Sequence, residues 1–174
     1  LTPTLQTPRL TLRRWRDSDR APFAELSADP EVARFLPSTL TRAESDAIID
    51  RLERHFDDFG FGFWAIEARE SGGFCGFTGL SRVHLELPFA PAVEVGWRLA
   101  RSHWGRGYAT EAARASIDDG FSRLGLDAIV SFTVPANRPS RAVMERLGMT
   151  RVVNGDFDHP RLPEGHALRR HVLY

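Results

Sequence analysis

The residues best placed to do chemistry lie in two short stretches. The first is Trp104-Gly105-Arg106-Gly107-Tyr108-Ala109-Thr110, where two glycines stand one residue apart directly before a helical pattern. The opening N–H groups of a helix have no partner inside it, and the helix dipole adds partial positive charge there. Glycines without side chains let an anion approach those N–H groups. A phosphate or pyrophosphate is therefore expected at Gly105 to Thr110, with Arg101 and Arg106 flanking it. A plain tight turn is the competing reading. The stricter phosphate motifs do not fit: no Gly-Lys-Ser/Thr follows, and the third glycine of a dinucleotide fingerprint is missing. The second stretch runs from Val134 to Met149, where Asn137 is placed to cap a short helix and Ser140 sits in its first turn. Metal chemistry finds little support. His166 and His171 would face opposite sides of a strand, and the single cysteine, Cys75, gives neither a cluster nor an internal disulfide.

Positioning those groups requires a strand, a turn and a helix in sequence. Val93, Val95, Trp97 and Leu99 recur at period two, which predicts a strand over 93–99. Ala109, Ala112, Ala113, Ile117, Phe121 and Leu124 recur at steps of three and four, which predicts a helix stopping at Gly125. Upstream, Leu10 and Leu12 mark a strand with one wet face, and Asp17 or Ser18 caps a helix broken at Asp29-Pro30. Thr41-Arg-Ala-Glu44 is a capping box opening a helix to Gly60. Strands over 61–68 and 74–80 flank the Ser71-Gly-Gly hairpin turn, and a longer loop covers 82–92. Downstream, strands are expected over 128–134, 149–153 and 167–174. The order of elements gives one α/β domain over residues 1–174: a mixed, mostly antiparallel central sheet, with strands 93–99 and 128–134 parallel.

Taken together, the two stretches resemble the GNAT acetyltransferases. The first matches the Q/R-x-x-G-x-G/A segment of that superfamily, with Trp104 in place of the usual Gln or Arg. Glu94-x-Gly96-Trp97, W-G-x-G-Y-A-T-E-A, Asn137-x-x-Ser140 and Leu147-Gly148-Met149 are similar to the branch that acetylates ribosomal-protein N-termini. The resemblance extends from Thr7 to about Val153. It implies acetyl-CoA as co-substrate, with its pyrophosphate at Trp104–Thr110. It also implies that the two parallel strands splay apart, with the pantetheine arm in the gap against main-chain groups near Trp97, Arg98 and Leu99 and against Asn137. Glu94 then becomes the expected base and Ser140 the expected acid, because the position of the usual tyrosine is Met144. Cys75 reads as a small core residue, and His84, Glu86 and Phe89 either line an acceptor pocket or form a surface loop.

Composition narrows the class further. The chain has 174 residues with 23 basic and 23 acidic side chains, every basic one Arg and none Lys. That balance argues against a general nucleic-acid or membrane binder. No signal peptide or bilayer-length apolar run is visible, so a cytoplasmic protein is expected, monomeric or homodimeric, with an initiator Met before Leu1. The expected activity is N-acetylation of a primary amine, on a protein N-terminus or a small molecule, without a metal. Antibiotic or polyamine acetylation is a rival, although Asp29, Glu31 and Glu86 are few and scattered for a cationic acceptor. A coenzyme A-binding module with little catalysis is a second rival, and an ATP-binding α/β protein a third.

Overall fold

In a computed structural model that describes residues 2–174, strands β1 (Leu5–Gln6), β2 (Leu10–Arg13), β3 (Phe63–Ala68), β4 (Phe74–Arg82) and β5 (Val93–Leu99) form one antiparallel sheet in that order. Leu1, and with it the expected initiator Met, lies outside the described residues. The helices are α1 (Arg20–Ala28), α2 (Arg42–Phe59), α3 (Tyr108–Ser122) and α4 (Arg138–Arg146). A second sheet holds β6 (Phe132–Thr133), β8 (Arg170–Leu173) and β7 (Phe157–Asp158), with β8 in the middle. One parallel bridge, Glu94 to Val130, joins β5 to the second sheet. The architecture is mostly antiparallel with a single parallel contact, as expected.

The helices cover opposite faces. Leu80 and Val95 pack against Ala113 of α3. Phe77 has the opposite parity to Leu80 and meets Phe23 of α1, ring centroids 5.9 Å apart. α2 starts at the expected capping box: Thr41 Oγ1 accepts from the Glu44 N–H, and the Glu44 carboxylate accepts from the Thr41 N–H at 2.7 Å. It ends at Gly60, whose φ of +73° suits a residue without a Cβ.

Asp17 and Ser18 do not cap α1, whose N-cap is Asp19 without a side-chain bond, because residues 17–19 form a tight 3-10 turn ahead of it. Four further expectations change. The strand over 128–134 shortens to Phe132–Thr133, because the chain leaves β5 after one bridge and pairs with β8. No strand forms over 149–153: Val152 gives one N–H to the Leu173 carbonyl, a turn follows at Asn154, and Val153 is 85% exposed. Phe157–Asp158 takes the place beside β8 instead. Phe121 is 47% exposed rather than core, since the buried stripe of α3 passes through Ser116, Asp119 and Gly120, with Gly120 against Leu80 of β4. The supposed wet face of β2 is dry at Arg13, which is 6% exposed and held by Asp19 at 2.8 Å and Glu67 at 2.7 Å. A buried cation needs such partners, which lie far from it in sequence and leave no local pattern.

Candidate active site

The site is organised by a fork between β5 and β6. The Val95 N–H donates to the Val130 carbonyl at 2.8 Å, and the Val130 N–H donates to the Val93 carbonyl at 2.9 Å. Main-chain groups alternate sides along a strand, and β5 pairs with β4 residue for residue from Val93 to Leu99 with no bulge. Trp97 and Leu99 therefore face the same way as Val95, toward the second sheet. Past Val130, however, that sheet is no longer within pairing reach. Ser131 and Tyr174 exchange both main-chain hydrogen bonds, at 3.0 and 2.8 Å, which turns the chain toward β8. The Trp97 and Leu99 N–H groups on one side and the Phe132 main chain on the other are left facing a gap.

Two side chains trim the fork. At its apex Ser131 Oγ donates to the Val95 carbonyl at 2.9 Å. At its mouth Trp104 Nε1–H donates to the Leu99 carbonyl at 2.9 Å, while much of the Trp104 ring stays exposed. The same alternation turns the Arg98 N–H toward β4, so Arg98 does not offer its amide to the gap as Trp97 and Leu99 do.

Beyond the mouth lies the glycine turn. Gly105 and Gly107 adopt φ of +72° and +77°, in the left-handed region where a Cβ is strained. A Cβ on Gly105 would meet nothing within 4 Å, and one on Gly107 only Arg9 Nη2 at 3.4 Å. The space above the turn is thus open to an anion. Gly107 is the N-cap of α3 and supplies no side-chain cap, and the first internal bond of the helix runs from the Glu111 N–H to the Gly107 carbonyl. The N–H groups of Tyr108, Ala109 and Thr110 have no helical acceptor.

Glu111 in that first turn would repel an anion if left bare. Its carboxylate instead accepts from Thr7 Oγ1 at 2.6 Å, the Arg9 N–H at 2.9 Å and Arg9 Nε at 2.6 Å. Burial opposes its charge, but the bonds from Thr7 and Arg9 outweigh that and hold the carboxyl below its ordinary value. Arg9 also donates from Nη1 to the Arg106 carbonyl at 2.8 Å and lies over the Tyr108 ring at 4.8 Å. Sequence reading missed Arg9, which is nearly a hundred residues from the loop it braces. Arg106 is exposed beside the turn, and exposed Arg101 lies 3.7 Å from Asp29.

The side chains of Glu94 and Arg98 share the other face of β5. Arg98 pairs with Phe77 across the sheet and places its guanidinium 5.4 Å from that ring, on the α1 side. Glu94 accepts no hydrogen bond among the described residues, and crowding by protein raises its carboxyl from 4.5 to about 7. No charged neighbour contributes to that shift. The value suits a proton acceptor near neutral pH.

At α4, Asn137 Oδ1 accepts from the Ser140 N–H at 3.3 Å, and Asn137 Nδ2 donates to Thr133 Oγ1 at 2.9 Å. Asn137 thus ties the helix start to β6, while the half-buried Ser140 hydroxyl makes no bond among the described residues. Met144 is 2% exposed and packs with Val172, Tyr174 and Trp97, so a thioether fills that position. Phe89 packs its ring at an angle against Phe132 and Phe157, centroids 5.8 and 5.2 Å away, and His84 lies 5.9 Å from the His55 ring. His159 and His171 approach to 5.2 Å, and among the described residues no group of His, Cys, Asp and Glu is arranged to hold a metal ion. Cys75 is fully buried, and burial pushes its thiol up. No described helix is long and apolar enough to cross a membrane.

Known proteins resemble this chain in sequence and fold. A family model described as an acetyltransferase (GNAT) domain matches residues 9–150. The FsC-acetyl coenzyme A-N(2)-transacetylase of Aspergillus fumigatus is 34% identical over 157 residues, covering 86% of this chain and 66% of that protein. An acetyltransferase from Agrobacterium tumefaciens superposes with a TM-score of 0.79 at 32% identity, over 99% of this chain and 94% of that one. RimL, a ribosomal L7/L12 α-N-protein acetyltransferase in complex with coenzyme A, superposes with a TM-score of 0.77 over 99% and 96%; at 18% identity it speaks for the fold alone.

Proposed function

The chain belongs to the GNAT acetyltransferase family, and from that premise we propose that it transfers an acetyl group from acetyl-CoA to a primary amine by direct attack. The observation that carries the reading is the continuity of the fork with the uncapped start of α3. Unpaired main-chain N–H groups run from Trp97 and Leu99 to Tyr108, Ala109 and Thr110, and neutralised Glu111 lies behind them. Trp104, Gly105, Arg106, Gly107, Tyr108, Ala109 and Thr110 would hold the pyrophosphate, and Asn137 the pantetheine arm. Acetyl-CoA would supply the acyl group as a thioester.

The chain's own groups then have three tasks. The Trp97 or Leu99 N–H donates to the thioester oxygen as negative charge develops there. Glu94 takes the proton that the amine loses, directly or through water, as the carbon–nitrogen bond forms and the carbon–sulfur bond breaks. Ser140 or water returns a proton to the departing thiolate, whose ordinary pKa near ~8.5 already makes it a fair leaving group. An α-amine near ~7.7–8.0 needs little help from a base at about 7, whereas a lysine near ~10.4 needs more. The acceptor is a protein N-terminus or a small molecule. The relative at 34% identity is named an FsC-acetyl coenzyme A-N(2)-transacetylase, so an amine nitrogen is the acceptor atom to test, on small amines and on N-terminal peptides alike. Thiol release from acetyl-CoA across a panel of primary amines tests the proposal, with turnover above the no-amine rate expected. Tight acetyl-CoA binding with no turnover on any amine would leave the coenzyme-binding module, a reading that Met144 favours by offering no proton.

A further inference from the structure

Between the end of α1, the 29–41 connection and α2 lies a cavity of about 210 Å³. Its walls are apolar: Val32, Leu36, Leu40 and Ile48 are among them. Besides the exposed Ser38, two polar groups interrupt that lining. One is Arg98, which reaches in from β5 on the same face as Glu94. The other is Ser27, 4% exposed, whose Oγ has no hydrogen-bond partner among the described residues. Among the described residues no carboxylate lies within ion-pair distance of Arg98, whose guanidinium sits 5.4 Å from the Phe77 ring. The buried arginine of the same sheet, Arg13, is by contrast satisfied by two carboxylates. Arg98 is only partly buried, so its guanidinium keeps contact with water, whereas the buried Ser27 hydroxyl without a partner costs free energy. Burial lowers the Arg98 pKa to about 10, which leaves it charged at neutral pH.

We propose that Arg98 and Ser27 form an anion subsite in this cavity, and that the acceptor is a small amine carrying a carboxylate on an apolar body. The acceptor part of this inference rests on the acetyl-transfer reading; the subsite itself does not. Geometry sets the arrangement. Glu94 and Arg98 are four residues apart on one strand face, about 13 Å between Cα atoms at ~3.3 Å per residue. The Phe63 ring lies over Gly96 between them, so a chain of several carbons joining an amine at Glu94 to a carboxylate at Arg98 would pass around that ring. The volume falls below the ~300–1,000 Å³ of drug-sized sites, which argues for a compact body. Arginine also suits the task, since its planar fork matches a carboxylate with two parallel bonds while Ser27 Oγ–H adds a third donor.

Binding separates the subsite from the transferase reading because it requires no turnover. Hexanoate and hexanamide are titrated calorimetrically into the full chain and into Arg98→Met, Arg98→Lys and Ser27→Ala, each checked by thermal melting. Hexanoate is expected to bind at least tenfold more tightly than hexanamide. Arg98→Met should abolish that preference, Arg98→Lys should keep part of it, and Ser27→Ala should weaken it a few-fold. Equal binding of acid and amide, or hexanoate affinity unchanged in a folded Arg98→Met, would overturn the subsite. In thiol-release assays, ω-amino acids of four to eight carbons should exceed their carboxamides in kcat/KM at least tenfold, and Arg98→Met should erase the difference with coenzyme A affinity retained. Equal turnover of acids and amides would overturn the acceptor class. Arg98-dependent hexanoate binding without turnover of any amine would instead sink the transferase reading and leave the subsite standing.

Discussion

The two faces of β5 are built by different means. Its gap-facing edge and the turn after it present main-chain N–H groups, fixed by strand parity, two glycines and one helix start. Its α1-facing side presents side chains: Arg98, which shares a cavity with residues from 27 to 48, and Glu94, whose carboxyl is raised by crowding. Main-chain groups cannot be changed without changing the fold, so the first region suits a constant ligand. Side chains are replaced one at a time, so the second suits a ligand that differs between relatives.

That contrast can be broken by mutation. The largest effect is expected from Gly107→Val. A branched residue at φ +77° is strained by about 1–3 kcal/mol, and its side chain occupies the anion's space. Coenzyme A affinity should fall at least a hundredfold by calorimetry; an unchanged affinity would place the coenzyme elsewhere.

Glu94→Gln should act on the other face alone. A loss of roughly 10²–10⁴ in kcat is expected for a removed general base, with coenzyme A affinity within twofold. The pH dependence sharpens this. In the native protein kcat/KM should rise as pH increases through about 7, because only ionised Glu94 accepts a proton; that limb should vanish in Glu94→Gln. Stability runs the opposite way. The folded pKa of Glu94 lies above its unfolded value, so the native state holds the proton longer and loses stability as pH rises from 4.5 to about 7. Glu94→Gln should therefore melt higher than the native protein at pH 8, by of order 1–3 kcal/mol, and no higher at pH 4. A variant less stable at both pH values would contradict the burial of that charge.

A smaller effect is expected at the brace. Arg9→Ala uncovers Glu111 beneath the anion site and frees the Arg106 carbonyl, and should weaken coenzyme A binding about three- to tenfold with kcat nearly unchanged. Ser131→Ala is the mildest. It removes one hydrogen bond to the Val95 carbonyl, costing about 1 kcal/mol of stability, with a modest rise in KM for acetyl-CoA from a loosened fork.

Local signals carried the first region. Alternation over Val93–Leu99, the two glycines and the apolar period of α3 each act within one turn or one strand, and the folded chain keeps the first two whole and the third except at Phe121. Glu94 was legible as a position in E-x-G-W, but its raised pKa was not, since crowding comes from the tertiary fold. Arg98 was read through its amide; the informative part is a guanidinium that shares a cavity with Ser27, seventy-one positions earlier. Arg9 and Ser131 act through single bonds to distant main chain and leave no periodic trace. The shortened β6 has the same origin: residues 128–134 have strand character, but competition between β5 and β8 decides their partner.

The most direct test of the main-chain cradle is an amide-resolved NMR titration of the labelled protein with coenzyme A. Saturable shifts should be largest at Gly105, Gly107, Tyr108, Ala109 and Thr110, extend to Trp97 and Leu99, and spare the Arg98 amide, which points toward β4. Shifts centred elsewhere, or no saturable binding, would contradict the cradle and the acetyl transfer inferred from it.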